Sequence, residues 1–115
     1  MRLSLNNAFY NADPDCAAFT DKVSPEINLD FLKMCAITGM TTLASVTPGI
    51  LGKKEMRRIN EIFKIADERK GNFGIKNYEK TANPEIFVSA DGAKEKRFDW
   101  NKVYNGSRVA LTWYE

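Results

Sequence analysis

The stretch between Asn7 and Ser45 constrains this chain most. An extended segment breaks at Asp13-Pro14-Asp15, the chain returns through a helix, and Gly39 releases it into a second short strand. That order is one β-to-α-to-β step. Two strands joined by a crossover helix run in the same direction, so this grammar belongs to parallel α/β arrangements.

The local signals around that step are specific. Residues 2–10 read as a strand, with Leu3 and Leu5 alternating against polar neighbours. Asp13 precedes a proline, which pushes it towards extended geometry, and Asp15 is placed to cap a short helical turn at Cys16 to Phe19. Ser24-Pro25 is a helix start, with a serine cap and proline in the first turn. The helix presents Ile27, Phe31, Leu32, Cys35 and Ala36 on one face, and Gly39 supplies the left-handed stop. The partner strand, residues 41–46, is β-branched and uncharged, as a strand covered on both faces should be.

Thr47-Pro48-Gly49 is a turn, and residues 53–70 then carry the clearest helical pattern in the chain. Met56, Ile59, Phe63 and Ala66 form its apolar stripe, joined by Ile62 on the flank, and Gly71 ends it. Lys53 and Lys54 sit at the positive end of that helix's dipole, at a small cost. Beyond Gly71 the pattern becomes antiparallel. Residues 85–89 are a strand, Asp91-Gly92 a turn, residues 97–100 a return strand, and Asn105-Gly106 the centre of a tight hairpin. The expected organisation is a βαβα segment over residues 1–71, a linker over 72–84, and antiparallel β hairpins over 85–115. The whole is α+β.

Composition narrows the chemistry. The 17 basic and 15 acidic residues are interleaved, and the densest basic run, Lys94-Glu95-Lys96-Arg97, carries its own carboxylate. No one-signed patch of nucleic-acid size is present. No run of apolar residues reaches membrane length. Cys16 and Cys35 occur without a single histidine, so neither a zinc spacing nor a Cys/His or Ser/His couple is available. Both cysteines read as free thiols, since the chain shows no secretory signal. Gly49 and Gly52 lack the Lys-Ser/Thr of a phosphate loop, and no metal or cofactor is implied.

Two features bear on function. Asp13 and Asp15 flank a proline at a strand end, where α/β folds place their sites, and paired carboxylates suggest glycoside hydrolysis. Asp-Pro-Asp is also ordinary turn and cap chemistry. The two side chains would have to converge on one sugar carbon, which an extended Asp-Pro-Asp disfavours, so they are not assigned as a catalytic pair. Trp100, Tyr104, Trp113 and Tyr114 crowd the C-terminal hairpins. Such aromatics stack on sugars, but at strand period they also build cores.

From Ala8 to about Asp67 the order of features resembles the last part of the catalytic barrel of melibiase-like glycoside hydrolases, the α-galactosidase group (clan D). Their Asn-Asp-Pro-Asp motif has its counterpart in Asn11-Ala12-Asp13-Pro14-Asp15-Cys16. A helix then leads to a glycine segment and a final strand ending in serine, like Thr38-Gly39-Met40-Thr41-Thr42-Leu43-Ala44-Ser45, and Leu51 and Glu55 open the last helix. An antiparallel C-terminal β domain follows in that family. The resemblance implies the end of a TIM-type barrel, and nucleophile and acid/base aspartates upstream of anything in this chain. The catalytic set here is then empty. A carbohydrate-pocket wall of Asp13, Asp15, Ala44 and Ser45 remains, the carbohydrate being bound through the full-length parent. A piece of this kind exposes strand edges and is expected to self-associate when alone. The alternative is a small α+β module that binds carbohydrate or a protein through its aromatic hairpins.

Overall fold

A computed structural model of the chain describes residues 13–68, 73–77, 79–80, 84–99, 103–104 and 107–108. Element order is β1 (Cys16–Phe19), α1 (Pro25–Ile37), β2 (Leu43–Val46), α2 (Lys53–Asp67), β3 (Phe73–Ile75), β4 (Ile86–Ser89), β5 (Glu95–Arg97), β6 (Val103–Tyr104) and β7 (Ser107–Arg108). The fold is a small α+β arrangement. β1 and β2 pair in parallel, β3, β4 and β5 form an antiparallel sheet in that order, and β6 and β7 form a hairpin. The strand expected at 2–10, the Gly71 stop and the strand expected beyond Arg108 lie outside the described residues.

The β-to-α-to-β step is present, shifted along the chain. Cys16 to Phe19 is a strand, where a helical turn was expected. Its alanines favour helix weakly, but pairing with β2 and burial of alternate residues override that preference. Cys16 pairs with Leu43 and Phe19 with Val46. Thr47 N–H extends the ladder to the Phe19 carbonyl at 3.0 Å. Ala17 and Phe19, two residues apart on one face, are each only 1% exposed.

α1 begins as its Ser24-Pro25 signal predicts, with a different use of the serine. Ser24 occupies the cap position without accepting a backbone bond through its side chain. Its hydroxyl instead donates to Glu26 Oε2 at 2.5 Å. The C-terminus is a Schellman closure. Gly39, at φ +71°, donates to the Ala36 carbonyl at 3.4 Å, and Met40 N–H reaches the Cys35 carbonyl at 3.1 Å. Thr38 Oγ1 adds bonds to the Met34 and Cys35 carbonyls at 2.7 and 3.2 Å.

One apolar face was expected on α1, and two are buried. Leu29, Leu32 and Ala36 pack with Ala17, Phe19, Ile59 and Ile62, joined by Ala44 and Val46. Met34, Cys35 and Ile37 pack with Met40, Phe87 and Phe98. Leu32 and Met34 lie roughly 200° apart around a helix, so one element serves both layers. Phe31 and Ile65 border both clusters. α1 thus lies between two clusters, while Glu26, Asn28, Asp30 and Lys33 keep partial exposure.

α2 keeps its amphipathic character with the buried stripe rotated from its expected centre. Ile59 and Ile62 are buried, with Ile65 and Ala66 beside them. Met56 and Phe63 are 39% and 37% exposed. The stripe follows α1, which meets α2 along Ile59 and Ile62.

Residues 73–75, within the expected linker, form β3 against β4, Phe73 opposite Ser89 and Ile75 opposite Phe87. The Asp91-Gly92 turn is observed, with Gly92 at φ +71°. Asp91 Oδ1 accepts from Ser89 Oγ at 2.5 Å and from Ala93 N–H at 3.0 Å. Ser89 N–H meets the Lys94 carbonyl at 2.9 Å, so pairing resumes at once. The return strand therefore occupies Glu95–Arg97, earlier than expected; of the expected residues 97–100 it includes Arg97, and Trp100 lies outside the described residues. Its three side chains are exposed and charged, which guards a sheet edge against further pairing. The hairpin expected around Asn105-Gly106 is flanked by Val103 opposite Arg108 and Tyr104 opposite Ser107.

Candidate functional site

The Asp13-Pro14-Asp15 turn is built from its own side chains. Asp15 N–H donates to Asp13 Oδ1 at 3.0 Å, and Cys16 N–H donates to Asp15 Oδ1 at 2.7 Å. Asp15 adopts φ +77°, the left-handed conformation that Asp and Asn enter more readily than other side chains. Both carboxylates serve as backbone acceptors that set the start of β1. They also precede the described strand. The carboxyl end, where α/β sheets hold ligands, lies at Phe19, Thr20, Val46 and Thr47.

The expected pocket residues are accordingly spread. Asp13 and Asp15 stay together at the N-terminal end of β1. Ser45 pairs with Ala18, three positions beyond Asp15, roughly 10 Å along the strand at about 3.3 Å per residue. Ala44 pairs with Ala17 and is turned towards the helices, beside the cluster of Phe19 and Leu32. Ser45 points the other way and is exposed.

Register defines a surface that the motifs did not mark. Cys16, Ala18, Leu43 and Ser45 share the sheet face opposite the helices. Leu43 is 46% exposed there, and none of the four side chains is charged. Among the described residues β2 is thus covered on one face only, where two were expected. Neither Cys16-Ala17-Ala18-Phe19 nor Leu43-Ala44-Ser45-Val46 alternates apolar with polar residues, so the sequence carries no periodic signal for this face. At the carboxyl end of this face Asn28 Nδ2 donates to the Ala18 carbonyl at 2.7 Å, binding the first turn of α1 to β1.

Electrostatics around the unit are mild. The Ser24 hydroxyl, the backbone N–H of Glu26 and the nearby Arg58 and Lys54 hold the Glu26 carboxyl below its ordinary value. Lys54, at the unfavourable end of the α2 dipole, thereby gains a compensating negative charge from α1. Both cysteines are free thiols. Burial pushes the Cys35 thiol up to about 12, so it is inert as a nucleophile. Cys16 is half-buried on the open face. Among the described residues no three His, Cys, Asp or Glu side chains group closely enough to hold a metal ion. No described helix is long and apolar enough to cross a membrane. Tyr104 lies in β6, and Trp100, Trp113 and Tyr114 fall outside the described residues. No protein-family model matches this chain, and neither curated proteins nor solved structures include a significant match to it.

Proposed function

We propose that this chain is the C-terminal segment of a glycoside hydrolase resembling α-galactosidases, inactive alone because the nucleophile and acid/base aspartates lie upstream. The observation that carries the reading is the one-sided helix layer. α1 and α2 both cover the face of the parallel pair that bears Ala17, Phe19, Ala44 and Val46. The other face is uncharged and open at Leu43. Doubly wound sheets carry helices on both faces, whereas a barrel keeps all its helices outside and fills its inner face with side chains from other strands. Parallel strands are rarely stable with a face in water. An open, uncharged face of Cys16, Ala18, Leu43 and Ser45 opposite two helices suits the interior of such a barrel, with Ser45 in the pocket wall one residue before a strand's carboxyl end. Asp13 and Asp15 then shape the turn that starts a strand and do not contact the sugar. The carbohydrate is held by the parent.

The test is the intact mass of the native polypeptide carrying this sequence, together with its turnover of p-nitrophenyl α-galactoside. A chain several times longer that cleaves this substrate is the expected result. A native chain of 115 residues, or a longer one inert on α- and β-glycosides alike, overturns the reading. Produced alone, the segment should self-associate through its open faces; a monomer at every concentration in sedimentation equilibrium counts against that.

A second reading has one observation in its favour. α1 joins both clusters through Phe31, so the described residues own a continuous core. That suits a small α+β module binding carbohydrate or a protein. Cooperative unfolding of a native, monomeric 115-residue chain would favour it.

A further inference from the structure

We draw no further inference here: the strongest candidate, the open face of the parallel strand pair formed by Cys16, Ala18, Leu43 and Ser45, belongs to the reading already proposed, and nothing in the structure shows which other molecule covers it.

Discussion

Phe98 meets Phe87 edge-on, with ring centroids 5.5 Å apart and ring planes at 84°. Phe87 is fully buried, and the pair packs with Met34, Cys35 and Ile37 of α1, so this contact joins the antiparallel sheet to the helix. Edge-to-face pairs contribute about 0.5–1.5 kcal/mol beyond their area. Phe87→Ala should cost about 3–5 kcal/mol, a large share of a small domain's stability. Phe87→Leu keeps most of the volume and should cost much less. Urea midpoints measure both; equal, small losses would mean that the sheet is not held by this pair.

Asp15 separates conformation from charge. At φ +77° its carboxylate accepts from Cys16 N–H. Asn enters this region as readily and retains the acceptor, so Asp15→Asn should leave stability within about 0.5 kcal/mol. Asp15→Val loses the acceptor and places a β-branched residue at positive φ, at a cost of about 2 kcal/mol. Thermal unfolding of the two variants decides. A large loss in the Asn variant would show that the turn depends on the negative charge.

Cys35 predicts an alkaline loss of stability. Its thiol is pushed up to about 12 from an ordinary 9.0 by burial. The unfolded chain releases this proton first, so folding is weakened as pH rises from about 9 towards 12, by up to about 1.4 kcal/mol per pH unit. Below pH 9 the thiol is protonated in both states and contributes no slope. Cys35→Ala creates a small cavity but removes the slope. The gap between its urea midpoint and that of the parent sequence should therefore narrow from pH 8 to pH 11. A constant gap would show that the thiol is not shielded.

The two thiols also differ in access. Cys16 is half-buried on the open face and Cys35 is buried. Ellman's reagent at pH 8 should modify one thiol per chain in the native protein and two in urea. Cys16→Ser should abolish the fast reaction. Two fast equivalents in the native protein would contradict the packing around α1.

Glu26 acts at the other end of the pH scale. Its carboxyl lies below the ordinary 4.5, chiefly through the Ser24 hydroxyl. A depressed carboxyl stabilises the fold above pH 4.5, and that contribution is lost as pH falls through the native value. Ser24→Ala should cost about 1 kcal/mol at neutral pH after screening, and progressively less as the carboxylate protonates. Urea unfolding at pH 7 and pH 3 tests this; a cost unchanged between them would assign Ser24 a purely steric role.

Several elements were legible from short-range chemistry. Pro25 and Gly39 bracket α1 because proline suits a first helical turn and glycine reaches φ +71° without strain. α2 followed from its apolar spacing, and the Asp91-Gly92 turn from an aspartate that accepts nearby amides. Of the candidate site, the sequence marked the aspartates but not the strand that follows them. The strand expected before Asp13 and Asp15 lies outside the described residues, and a strand begins directly after them at Cys16, where a helical turn was expected.

The sequence by itself thus determined where α1 starts and stops, where α2 starts and where the chain reverses at Asp91-Gly92, since caps, proline and positive-φ glycine act within a few residues of themselves. Only the tertiary structure decided that Cys16–Phe19 is a strand and that residues 73–75 pair with β4. It also decided that α1 is buried on two sides and that β2 is covered on one. Those outcomes depend on partners far away in the chain. Ladder bonds to Leu43–Val46 outweigh the helix preference of Ala17 and Ala18, and a side chain's burial is set by the element that reaches its face.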